Sequence, residues 1–295
     1  MLETQQQSHR TALEPAHHSG CAIVVPHFRS ELTPEERVSL CHLEHYLSDY
    51  DIIIAVPEGT KLEGVDRQHV HFSREYFDSR QGYSRLLLSR EFYEPFEKYS
   101  FILIHQLDCL VFSSDLQSWL DQTGYDYIGS PLFRDPEKPE KGFSRVGNGG
   151  LSLRRVKPFF DVIDSPRYVN EEPSMATELL ATSLPDLKDM GPLQRMKKTA
   201  SVLREVRHGS EAYRRNYTLN EDLFWSDRAA LFARTFRVAP VETGLQFAFE
   251  KHPRYCFERN GGELPFGCHA WQKWDREFWM DHILPECASL LQDGE

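Results

Sequence analysis

The sequence predicts an α/β fold: a mixed, mostly parallel sheet flanked by helices and carrying a helical insertion. Three observations lead there. Short apolar runs at 21–26, 50–57 and 101–112 are dense in Val, Ile and Leu, the composition of strands buried on both faces of a sheet. Stretches with a helical stripe of apolar residues fall between them, and strands alternating with helices mark a largely parallel sheet. The chain's 295 residues, 40% hydrophobic and 27% charged, suffice for a full core with helices on both sides of that sheet.

Residues 1–20 are polar, lack an apolar signal core and read as a disordered leader; 21–295 then reads as a single domain. Cys21-Ala-Ile-Val-Val-Pro26 is the first strand, and a loop follows from His27. Thr33-Pro34-Glu35-Glu36 is a helix start, with Thr as N-cap, Pro at the first helical position and acids in the first turn; Leu40, Leu43 and Leu47 continue its apolar stripe. The second strand, 50–57, closes at Pro57 and Gly59, and 69–72 is a short third strand. Tyr83, Leu86, Leu87, Phe92 and Phe96 suit one helix that leads into the buried run from Phe101. Residues 125–129 and 151–153 supply further strands. The stretch 165–215 changes character: Pro166, Pro173, Pro185 and Pro192 punctuate it, and Lys197, Lys198, Arg204 and Arg207 form a basic helical patch. It reads as an insertion, either a solvated helical face or a lid over an acceptor. A helix from 221 to 232, a turn at Gly261-Gly262 and a Trp-rich helical region from Trp271 complete the chain.

Formal charge is -11, which argues against a general nucleic-acid binder, whose affinity rests on Lys and Arg neutralising phosphates. No apolar run approaches the roughly 20 residues that span a bilayer. Cys21, Cys41, Cys109, Cys256, Cys268 and Cys287 are scattered, with no CxxC pair. Such spacing in a long chain reads as buried or free thiols, hence a cytoplasmic protein.

Four places hold residues that carry chemistry. In Gln106-Leu107-Asp108 a carboxylate interrupts an apolar run, where burial costs several kcal/mol unless it is paired, hydrogen-bonded or metal-bound. Asp108 is therefore either a hydrogen-bonded core residue or part of a metal and diphosphate site at the sheet edge; Gln106, two residues earlier, points to the same side. Gly147-Asn148-Gly149-Gly150 allows positive φ and close backbone approach, as a plain turn or as a loop shaped for substrate or phosphate. It is neither the dinucleotide fingerprint nor a P-loop. Asn220-Glu221-Asp222 opens a helix, as simple capping or as the site of a general base. His269, within Pro265-Phe-Gly-Cys-His-Ala-Trp271, is structural or a metal ligand; no second Cys or His lies at zinc-site spacing.

In this order the four motifs resemble those of GT-A-type glycosyltransferases, close to microbial glycosyltransferase-like domains of unknown function: an Asp-x-Asp-like motif at a strand end, a glycine loop, an x-Glu-Asp motif and a late His. The resemblance spans roughly 20 to 272 and implies a GT-A-like, Rossmann-like fold. It implies transfer of a sugar from a nucleotide-sugar donor to a hydroxyl acceptor (a glycan, a lipid-linked sugar, a protein or a small molecule), metal-assisted and inverting. Asp108 and His269 would hold a divalent metal, Mn2+ or Mg2+, on the nucleotide diphosphate. Pro26 and His27 would take the nucleotide, with Arg85 and Gln106 on the donor. Gly149 and Gly150 would shape the site between donor and acceptor, and Asp222, with Glu221 beside it, would be the general base. Gln106 departs from the pattern: an amide oxygen stands where the first Asp is expected, so the cation is expected to be weakly held or dispensable. The same fold also accommodates a nucleotidyltransferase or a non-catalytic nucleotide- or carbohydrate-binding protein. Against nucleotidyl transfer, no glycine follows the first strand.

Overall fold

The computed structural model describes residues 20–121, 124–166, 187, 190–206 and 209–292. Its centre is a six-stranded sheet in the order β3-β2-β1-β4-β9-β6. The strands are β1 (Cys21–Pro26), β2 (Asp51–Pro57), β3 (Gln68–Phe72), β4 (Phe101–His105), β6 (Tyr127–Ile128) and β9 (Leu151–Arg155). The first four run parallel; β9 is antiparallel to both β4 and β6. A hairpin joins β7 (Pro131–Phe133) to β8 (Phe143–Val146). A second sheet, order β10-β11-β5, combines β5 (Leu110–Val111), β10 (Ala248–Phe249) and β11 (Gly267–Cys268).

The unbroken apolar runs of β1 and β4 follow from burial on both faces. Ala22, Val24, Ile102 and Ile104 feed one core with Phe92, Tyr93, Phe159 and Trp225. Cys21, Ile23, Val25 and Leu103 feed the other, with Leu43 and Leu47. Helix α1 (Pro34–Leu47) covers the second face and starts where its signals lie: Thr33 accepts from Glu36 N, and the Glu36 carboxylate accepts from Thr33 N. A third core, with Phe249, Trp271 and Trp279, packs under the small sheet.

Three expectations are corrected. The run 101–112 is not one strand: it turns after His105, where Cys109 N donates to Gln106 O, and resumes as β5 in the other sheet. Both strands are buried, so the run is apolar on either side of Gln106 and Asp108. The expected helix over 82–96 is two, α2 (Arg80–Leu87) and α3 (Arg90–Tyr93), because the Ser89 side chain accepts from Phe92 N and starts a new helix. The six cysteines are not all thiols: a disulfide joins Cys41 to Cys287, and the other four are buried and free. Scattered spacing could not reveal a pair 246 residues apart, and the bond removes the thiol argument for a cytoplasmic location.

Helices α4 (Leu116–Asp121) and α5 (Val156–Ile163) follow β5 and β9. All of the expected leader but Gly20 falls outside the described residues, as do Pro173, Pro185 and Arg207 of the expected insertion. Its described parts are α6 (Pro192–Val206) and α7 (Ser210–Arg215). Beyond them come α8 (Glu221–Asp227), α9 (Val241–Phe247), α10 (Pro253–Arg259), α11 (Arg276–Met280) and α12 (Pro285–Ala288). No helix among the described residues is long and apolar enough to cross a membrane.

Candidate active site

The turn between β4 and β5 places Gln106 and Asp108 at the junction of the two sheets. Its backbone is fixed from three sides: Gln106 N donates to Gly150 O, Trp271 N donates to Asp108 O, and the Ser39 hydroxyl donates to Cys109 O. β11 ends one residue before His269, whose N donates to Phe249 O, so the imidazole arrives beside the turn. His269 Nε2 lies 3.2 Å from Gln106 Oε1 and 3.4 Å from Asp108 Oδ1; its Nδ1 faces Glu250 Oε1 at 3.5 Å. Burial alone would lower the His269 pKa, but the Asp108 and Glu250 carboxylates outweigh it and the net shift is upward. Burial likewise works to raise the Glu250 pKa, and His269 with Lys251 and Lys273 turns it downward.

The glycine loop closes the site from the other side. The positive φ falls on Asn148, at 67°, and the glycines serve close approach instead. A Cβ at Gly149 would collide with Glu221 Oε1, and one at Gly150 with the His269 ring. Asn148 Oδ1 accepts from Gly150 N, and its Nδ2 donates to Ser130 Oγ.

The start of α8 separates the two acids. The Asn220 side chain makes no cap bond, so simple capping by Asn220 is not what the segment does. Asp222 Oδ2 accepts from Asn148 N at 2.8 Å. Burial raises the Asp222 pKa, partly offset by the Asn148 and Leu223 amides. Glu221 turns inward, where Arg154 Nη2 donates to its Oε1 at 2.8 Å. Arg154 is fully buried and also donates to Tyr93 Oη and Ser152 Oγ. Burial pushes the Glu221 pKa up to about 7 against the pull of Arg154. Glu221 is thus buried between Arg154 and Gly149.

Gln106 and Asp108 also line a cleft of about 330 Å³ with Pro26, His27, Phe28, Arg80 and Tyr83. Phe28 is 57% exposed at this cleft, and burial lowers the His27 pKa. Arg85 is elsewhere: it lines a larger cleft of about 920 Å³ with Arg90, Asp164 and Arg214, which holds none of the other candidate residues. Arg80, five positions earlier on α2, lines the cleft of Gln106 and Asp108 instead.

The donor set fits a divalent cation. Asp108 Oδ1 is buried without a hydrogen-bond partner among the described residues, and an imidazole nitrogen stands beside it. Asp108, Cys109 and His269 all bring a ligand atom within 4.8 Å of one another. The Cys109 thiol, however, donates to Gly150 O, and burial raises its pKa well above the ordinary value, so an oxygen–nitrogen pair is the working set. That set suits Mn2+ or Mg2+ when phosphate oxygens and water complete the shell.

Sequence reading missed Arg80, Phe28, Arg154 and Glu250. Glu250 carried a signal: it ends a short apolar run, Phe247-Ala-Phe249. Arg154 carried another, since alternation puts Ser152 and Arg154 on one face of a buried strand.

The family described as "Protein of unknown function (DUF5672)" matches residues 66–269. No curated protein matches the chain. Similar solved structures are glycosyltransferases. One is GlyE of Streptococcus pneumoniae TIGR4, at 13% identity and TM-score 0.42, over 93% of this chain and 62% of that one. The galactosyltransferase LgtC, in complex with donor and acceptor sugar analogues, aligns at 14% identity and TM-score 0.42 over 92% of this chain and 100% of its own. The core-mannan synthase CmsA/Ktr4 of Aspergillus fumigatus, in a Mn/GDP form, aligns at 10% identity and TM-score 0.39 over 77% and 72%.

Proposed function

The chain belongs to the DUF5672 family, and on that premise we propose that it is a metal-assisted, inverting glycosyltransferase using a nucleotide-sugar donor and a hydroxyl acceptor. One observation carries the reading. Four motifs far apart in sequence converge at one sheet junction, with His269 against Gln106, Asp108 and Gly150, and Asp222 bonded to the glycine loop.

The nucleotide enters the cleft of Pro26, His27 and Phe28, and Arg80 faces the diphosphate in place of Arg85. Asp108 and His269 would hold a divalent cation, which when bound would supply positive charge for the leaving diphosphate. Asp222, oriented by Asn148 N–H, takes the proton of the acceptor hydroxyl. The acceptor oxygen bonds to the anomeric carbon as the bond from that carbon to the diphosphate oxygen breaks. The diphosphate leaves with the electron pair, and the proton ends on Asp222. Gly149 and Gly150, by lacking side chains, leave the floor of the site to Glu221 and His269. Gln106 favours a second reading: a neutral amide beside the cation lowers its affinity, and the cleft would then bind nucleotide without turnover.

The test is release of nucleoside diphosphate from UDP- and GDP-sugars with Mn2+. Asp222→Asn is expected to slow turnover by roughly 100- to 10,000-fold while keeping donor affinity; Asp108→Ala is expected to lose both, and Arg85→Ala to change neither. Full turnover in both Asp108→Ala and Asp222→Asn would refute the roles. Binding without release in the unaltered protein would favour the second reading, and pyrophosphate release from a nucleoside triphosphate and a sugar phosphate would favour nucleotidyl transfer.

A further inference from the structure

Helix α6 carries two faces. Val202 is buried and Arg195 Nε donates to Leu187 O, which fixes the inward side. Leu193, Met196, Lys197, Ala200 and Arg204 recur three and four residues apart and so share the opposite side. All five are exposed, Leu193 at 61% and Met196 at 63%. Lys197, Lys198 and Arg204 have no hydrogen-bond or ion-pair partner among the described residues. The helix holds four basic residues, Arg195 included, against one acid, Glu205, in a chain of net charge -11.

We propose that this outward face of α6 docks on an anionic lipid bilayer. Charge complementarity selects an anionic surface, since the helix is locally cationic on an acidic molecule. The apolar residues select lipid over an acidic protein or a polynucleotide. Leu193 and Met196 lie on the same stripe as Lys197 and Arg204, an arrangement that suits the headgroup boundary. There the apolar side chains enter the acyl edge, and the long basic side chains keep their charges among the phosphates.

The test is flotation of the full chain with vesicles of phosphatidylcholine alone or mixed with phosphatidylglycerol. It reads no turnover, so its outcome is separate from that of the cleft. Co-flotation is expected with the mixed vesicles only, weakening as salt rises. Lys197→Gln with Arg204→Gln is expected to lower partitioning about 30-fold. Leu193→Ser with Met196→Ser is expected to lower it as well, and both variants should melt at the unaltered temperature because every changed side chain is exposed. No co-flotation with anionic vesicles, or equal co-flotation of the unaltered protein and both well-folded variants, would overturn the proposal. So would self-association abolished by Leu193→Ser with Met196→Ser in the absence of vesicle binding, which would give the face to a second copy.

Discussion

Asp222 and Glu221 are adjacent yet stand in different environments. One step along a helix turns a side chain by about a quarter of a turn. That step sends Glu221 to the buried Arg154 and leaves Asp222 on the Asn148 amide. The two acids after Asn220 both suit a helix start, so their own chemistry ranks neither, and only the family resemblance singles out Asp222. The same turn arithmetic decides between Arg80 and Arg85 on α2. By contrast, Asp108 was legible, since a carboxylate inside an apolar run must answer for its burial. A pH dependence follows for Asp222. Burial raises its pKa above the ordinary 3.8. A general base works only when ionised, so turnover should fall as pH drops through that raised pKa, at a higher pH than an ordinary Asp gives. A pH–rate profile checks this, and an acid limb at the ordinary carboxylate value would remove Asp222 from the role.

Elements were legible where local chemistry alone determines them. The capping box at Thr33 and the apolar strands β1, β2 and β4 follow from their own residues. The strand end at Gln106-Leu107-Asp108 was legible too, but not that the chain resumes in another sheet, because β5 is as buried and apolar as β4. Nor was the seating of the C-terminal segment on α1, which depends on long-range bonds. His42 is the link: Nδ1 lies 3.1 Å from Val111 O, and Nε2 accepts from Leu284 N at 3.0 Å. That pairing needs the neutral ring with its proton on Nδ1. Burial lowers the His42 pKa below the ordinary 6.5. A depressed folded pKa gives stability that is present above 6.5 and lost as pH falls through the folded value. Thermal unfolding across this range should show the loss in the unaltered protein and a flatter response in His42→Gln. Equal slopes would show that His42 stays outside the transition.

At the scale of the whole molecule, the two sheets meet at the 105–110 turn, and the Cys41–Cys287 bond ties α12 to α1. A bridge closing so long a loop restricts the unfolded chain and stabilises the fold by about 5 kcal/mol. Reduction should therefore lower the melting temperature by roughly 10 °C. The double variant Cys41→Ser with Cys287→Ser should sit at the reduced value and ignore reductant; a melting temperature indifferent to reduction would show the bond absent or without effect. The central claim concerns the junction itself, and calorimetric titration of UDP, GDP and their sugars tests it most directly, with and without Mn2+, on the unaltered protein and on Asp108→Ala. One nucleotide is expected to bind, Mn2+ to strengthen its binding, and Asp108→Ala to abolish the Mn2+ effect. No binding of any nucleotide, in either condition, would contradict that claim.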